Sequence, residues 1–281
     1  MANKNSIAFQ GLSGAYSDLA CRQVYPDMTP MACPTFEEAF AAVEEGRANL
    51  AMIPIENSVA GRVADIHQLM PHAKLQIIGE HFQRVNHHLL APKGASMESL
   101  VRVRSHVHAL SQCRKYLHDH CLQPVVHADT AGAAAEVAER GDIAEAAIAS
   151  ELAADIYGLE SLAANIEDAD HNTTRFVVLA ADAKDPGPDN GLVMTAFLFR
   201  VRNIPAALYK SMGGFATNNV NMTKLESYMA AGTFASTEFY AEIEGHPDDP
   251  SVKLALEELA FYSEKIHIMG VFPAHDFRKE I

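Results

Sequence analysis

Five short segments concentrate small hydroxyls, amides and glycine: 11–17 (GLSGAYS), 54–61 (PIENSVAG), 105–108 (SHVH), 128–131 (ADTA) and 172–176 (NTTRF). Hydroxyls and amides make hydrogen bonds without bulk, and glycine lets a backbone come close to a ligand. Arg175 adds a fixed planar cation that suits a carboxylate. Taken singly, each segment also looks like a helix N-cap, worth about 1 kcal/mol. Glu56, near an expected helix start, could simply complement the helix dipole. Arg175 could pair with Glu167 or Asp168. Ser105 and Gln112 would share a face if both lay on one helix.

Other chemistries fit less well. His118, His120 and Cys121 hold metal-ligand types, as do His87 and His88, but i, i+2 side chains on a helix point apart. These histidines read as solvated surface groups, and no metal is expected. Cys113 sits in an amphipathic stretch and reads as a buried small apolar residue. Gly11 and Gly14 fall short of a dinucleotide fingerprint, and the sequence holds no Walker or G-x-S-x-G motif. No cofactor is expected.

The 281 residues carry 22 Lys+Arg against 36 Asp+Glu, a net charge of −14. Such a chain is a poor partner for nucleic acid or an anionic membrane surface. No apolar run reaches the ~20 residues of a membrane-spanning helix. Four cysteines without a C-x-x-C pair point to a reducing, cytoplasmic setting.

Positioning these segments requires an alternating α/β framework. Apolar runs at 7–9, 50–55, 77–78, 89–90, 101–103, 125–126, 147–149 and 176–181 read as strands. Helical patterns at 15–25, 109–120, 130–140 and 151–157 separate many of them, and Thr35 with Glu38 makes a capping box for another. Fully apolar strands imply a parallel or mixed sheet covered on both faces. The first four polar segments read as strand-to-helix turns, where ligands gather in open α/β sheets. The run 184–190 (KDPGPDN) breaks the chain. It suggests a domain over 1–182, a linker over 183–190 and a second domain over 191–281. The second reads β-α-β-β-α-β, a ferredoxin-like plan, with a hairpin connection at Ala230-Ala231-Gly232.

Taken in order and at their spacing, 11–17, 54–61, 105–113 (SHVHALSQC), 129–134 (DTAGAA), 149–168 and 172–176 resemble prephenate dehydratase. The segment 203–229 resembles the ACT regulatory domain fused to that enzyme. The resemblance implies a catalytic domain of two α/β lobes, like type II periplasmic binding proteins, with a cleft between them. The lobes would be roughly 1–80 with 165–182, and 84–165. It implies conversion of prephenate, a dianion, to phenylpyruvate for phenylalanine synthesis. Thr174, Arg175 and Glu56 are then the catalytic candidates: Thr174 as donor to the departing hydroxyl, Arg175 for a carboxylate, and Glu56 as a second candidate for proton handling. Asn57, Ser58, Ser105, Gln112, Thr130, Tyr16 and Phe176 would bind substrate, with the helix N-termini at 57–58 and 105–106 receiving carboxylates. Ala207, Leu208, Asn221, Leu225, Glu226 and Ser227 would bind L-phenylalanine as effector, in a homodimer or homotetramer paired through ACT domains. The family's first motif usually reads G-P-x-G-T-Y-S; here Leu12 and Ala15 depart from it. Ala206-Ala207-Leu208 stands where the ACT motif has G-A-L. Arogenate dehydratase and a non-enzymatic amino-acid sensor are the rival readings.

Overall fold

The computed structural model describes residues 5–229 and 237–279. The first sheet is built from β1 (Ser6–Gln10), α1 (Tyr16–Val24), β2 (Thr29–Cys33), α2 (Phe36–Glu44), β3 (Leu50–Asn57) and β4 (Gly61–Arg62). After α3 (Ala64–Leu69), β5 (Gln76–Arg84) joins it. Its order is β2-β1-β3, then a late-returning strand, then β5, with β4 folded back on β3. The parallel pairing of β1 with β2 and β3 requires helical crossovers, and α1 and α2 supply them. Thr35 caps α2 as its sequence suggests, accepting from the Glu38 N–H at 3.2 Å.

The second sheet comprises β6 (His88–Ala91), β7 (Arg102–His106), α4 (Val107–Gln112), α5 (Arg114–Asp119), β8 (Gln123–His127), α6 (Thr130–Arg140), β9 (Glu145–Ala149), α7 (Glu151–Tyr157) and β10 (Glu160–Ala163). Its strand order is β10-β6-β9-β7-β8. β9 is buried throughout, which is what its unbroken apolar run requires. The returning strand of the first sheet is β11 (Thr173–Ala180). Two α/β lobes result, as expected. The single helix read over 109–120 is in fact two short ones, α4 and α5, broken at Cys113.

The remaining elements are β12 (Val193–Val201), α8 (Ala207–Thr217), β13 (Met222–Met229), β14 (Thr237–Glu244), α9 (Pro250–Tyr262) and β15 (Ser263–Pro273). Their order β13-β14-β12-β15 is antiparallel and ferredoxin-like. Phe197, Phe199, Phe215, Val252 and Leu259 fill the layer between sheet and helices. The expected turn at Ala230–Gly232 lies outside the described residues.

By contacts the chain falls into two units, and the second is discontinuous: Ala64–Glu80 with Val177–Ile281. The linker run therefore lies inside that unit, with His246 and Asp185 paired at 2.8 Å. Within it Gly270 leaves room for the Ile77 carbonyl, a space that any side chain would fill. The Arg278 guanidinium reaches the buried carboxylates of Glu80 at 2.6 Å and Glu242 at 3.1 Å. The other unit, Met1–Val63 with His81–Phe176, carries all five polar segments.

Candidate active site

The end of β3 sets the first group. PIENSVAG is not a strand-to-helix turn: the strand runs on through Asn57 and turns into the short partner β4. The Asn57 Oδ1 accepts from the backbone N–H groups of Val59 (3.0 Å) and Ala60 (2.8 Å). This side-chain mimic of a backbone turn replaces the expected helix N-terminus. The amide's other end donates to Asn172 Oδ1 and Thr174 Oγ1, both at 2.9 Å. Ser58 clamps the same corner, donating to the His171 carbonyl at 2.8 Å and accepting from the Thr173 N–H at 2.9 Å. Its hydroxyl is thus spent on joining two chain segments.

NTTRF enters β11 as expected. Asn172 Nδ2 donates to Gln112 Oε1 at 3.0 Å. Gln112 ends α4, and its Oε1 also meets His87 Nε2 at 2.9 Å. His87 Nδ1 faces the Tyr16 hydroxyl at 3.0 Å, which in turn donates to the Asn86 carbonyl at 2.6 Å. A continuous polar chain thus runs from Thr174 and Asn57 in one lobe, through Asn172, to Gln112 in the other lobe, and back through His87 to Tyr16. Gln112 and Asn172 line a cavity of about 360 Å³, along with Val59, Ala60, Glu167 and Asp168.

His87 overturns its surface reading: it is 2% exposed. Burial pushes its imidazole below the usual range, against opposing help from the Gln112 hydrogen bond and the nearby Glu167. Burial, with Glu167 and Cys113 adding to it, raises the Tyr16 phenol well above its ordinary value. Cys113 is fully buried and its thiol is likewise pushed up.

Other expected residues fall elsewhere. Arg175 is 4% exposed and its Nη1 pairs with Glu56 Oε1 at 3.0 Å, so neither Glu167 nor Asp168 is its partner. Phe82 lies under the guanidinium, 5.8 Å from ring centroid to carbon. Glu56 therefore anchors Arg175 from a strand and complements no helix dipole. Ser105 is fully buried in β7, donating to the Ile148 carbonyl at 2.6 Å, and shares no helix with Gln112. Phe176 is 1% exposed, in the core. Thr130 opens α6, where Asp129 is the cap, accepting from Gly132 N–H at 2.6 Å. In the second unit, Ala207 begins α8 and Leu208 packs against the apolar core. Asn221, Leu225 and Ser227 are exposed, and Glu226 pairs with Lys224 at 2.8 Å. Ala206 sits at φ +59°, the left-handed region that the glycine of G-A-L would favour.

Sequence reasoning missed His87, Asn172 and Glu167. Asn172 stood inside NTTRF, and His87 follows β5 by three residues, so position, not residue type, was the available signal.

The lobe architecture accords with what known proteins show. The prephenate dehydratase family profile matches residues 7–184. A protein of Komagataeibacter europaeus, named bifunctional N-acyl-homoserine lactone acylase/prephenate dehydratase, is 52% identical over the full length of both chains. Arogenate dehydratase/prephenate dehydratase 2 of Arabidopsis thaliana is 37% identical over 95% of this chain and 72% of its own. The prephenate dehydratase of Arthrobacter aurescens, solved with L-Phe, superposes with a TM-score of 0.88 at 29% identity, over 97% of this chain and 91% of that one. This chain belongs to the prephenate dehydratase family of carbon–oxygen lyases.

Proposed function

We propose that the chain converts prephenate to phenylpyruvate, water and CO2. The observation that carries this reading is the hydrogen bond from Asn57 Nδ2 to Thr174 Oγ1. It occupies a lone pair of the hydroxyl and leaves its hydrogen to be given outward. Such a group is suited to a departing oxygen. In the reaction the C–CO2 bond of the ring carboxylate breaks and its electron pair enters the ring. The C–O bond breaks, and the leaving hydroxide takes a proton from solvent to become water. Aromatisation supplies the driving force, so the protein's task is to hold a dianion and stabilise charge on the leaving oxygen. A Thr hydroxyl does this as a positioned donor, since it is a poor proton source. Gln112 orients the substrate. Arg175, held by Glu56, contributes fixed positive charge.

The ferredoxin-like portion is read as an ACT domain that binds L-phenylalanine near Asn221 and Leu225, pairs with a second copy, and lowers activity. The L-Phe complex of the Arthrobacter relative supports this. One assay tests the whole reading: purified chain given prephenate or arogenate, with and without L-phenylalanine. Phenylpyruvate should form with nothing added, prephenate should be preferred, and L-phenylalanine should slow it. Asn221→Ala with Leu225→Ala should remove the slowing. Faster turnover of arogenate would reassign the substrate, and no turnover of either would leave the sensor reading. Full-length identity with the Komagataeibacter protein favours a second reading, cleavage of N-acyl-homoserine lactones by water. Release of free homoserine lactone from such an amide is the measurement that decides it.

A further inference from the structure

An amide side chain has a donor end and an acceptor end, so a chain of amides has a direction. Here the direction is set by two groups that can only donate, the backbone N–H of Val59 and of Ala60. They force Asn57 to turn Oδ1 toward them and Nδ2 toward Asn172. Asn172 must then accept with Oδ1 and donate with Nδ2 to Gln112 Oε1. That oxygen is also the atom facing His87 Nε2. Two oxygens or lone pairs cannot bond to one another, so Nε2 must carry a hydrogen. Nδ1 of the neutral ring then carries the lone pair, and it faces the Tyr16 hydroxyl, whose single hydrogen it shares with the Asn86 carbonyl. The backbone of residue 87 is held independently of the ring: its N–H donates to Glu167 Oε2 at 2.9 Å, and its carbonyl accepts from Ile166 at 3.1 Å.

We propose that His87 is a positioning residue: its Nε2–H, together with Asn172 Nδ2, pins the Gln112 oxygen inward and turns the Gln112 NH2 group into the cavity as an obligate donor. In a cavity that Glu167 and Asp168 line beside His108 and Ser111, this NH2 group is a donor of fixed direction toward an anionic substrate. The consequence for substrate capture rests on the prephenate reading; the ring's tautomer does not.

Two experiments separate these. In the full chain labelled with 15N-histidine, and assigned by loss of one signal in His87→Gln, Nε2 should show the protonated resonance and Nδ1 the unprotonated one. The opposite tautomer overturns the proposal whatever the protein catalyses. Kinetics then form a double-mutant cycle. His87→Leu should raise KM for prephenate ~10-fold or more with a smaller change in kcat, the scale on which losing one well-placed hydrogen bond to a charged group acts. His87→Gln, which can present an N–H at the same reach, should recover most of that loss. In a Gln112→Ala background, His87→Leu should change KM less than twofold. Equal losses in both backgrounds, or no rescue by Gln in a folded variant, overturn the role assigned to His87. Absence of wild-type turnover on prephenate overturns the function reading alone.

Discussion

Thr174 is useful because of what its neighbour denies it. Asn57 Nδ2 fills the hydroxyl's acceptor side, and the Val59 and Ala60 N–H groups prevent that amide from flipping. Reversing the polarity should therefore abolish the effect without changing the shape. Asn57→Asp places an oxygen where Nδ2 was, and Thr174 would donate inward to it. Turnover should fall about 100-fold or more, comparable to losing one oxyanion-type donor, and Thr174→Ala should do the same. Thr174→Ser should keep most activity. The check is phenylpyruvate formation alongside thermal melting. Near wild-type kcat/KM in Asn57→Asp would remove the donor role. At this scale the sequence told much: hydroxyls and amides in PIENS and NTTRF were recognisable as polar site material. Which of them face a ligand was not. Ser58, Ser105 and Asn57 are equally small and polar. Only the tertiary pairing spends the first on His171 and the second on Ile148, and leaves the third to direct a relay.

Between elements, the loop before α1 meets α7 of the other lobe. Ser150 Oγ donates to the Gly14 carbonyl at 2.5 Å, and the Tyr157 hydroxyl donates to the Ser13 carbonyl at 2.7 Å. Gly14 stands at φ +90°, and a Cβ there would lie 2.9 Å from the Ala153 Cα. Both the conformation and the close approach demand glycine. Gly14→Ala should cost ~2–4 kcal/mol, combining left-handed strain with overpacking, and urea unfolding measures it. A cost below ~1 kcal/mol would mean the lobes can part here freely. Alternating strands and helices were legible because buried parallel strands read as apolar runs. The break at Cys113 and the strand continuing through Asn57 were not, since helix breaks and hairpin ends depend on what the chain packs against.

For the molecule as a whole, charge is the puzzle. The net charge is −14, and the one deeply placed cation of NTTRF is already paired with Glu56. A dianion approaching such a surface is repelled until salt screens the field. Raising ionic strength from ~0.01 to ~0.15 M shortens the screening length from ~30 to ~8 Å, so kcat/KM for prephenate should rise several-fold while kcat stays level. A fall with salt would mean that local positive potential at the cavity governs capture. The ferredoxin-like tail was legible from element order, and the two-lobed plan from the family resemblance. The membership of 64–80 was not, because its partners lie more than a hundred residues downstream.

That membership reaches back to synthesis. Ile66, Met70, Leu75 and Ile77 are all buried in the finished protein, within a unit whose other strands begin at Val177 and end with Arg278 on Glu80. A ribosome adding ~5–20 residues per second needs ~10–40 s to travel from Glu80 to that arginine. Until β11 is made, about halfway through that interval, the nascent segment carries a greasy strand with no mate, and a translation pause or premature stop before then leaves it exposed to chaperones or to neighbouring chains.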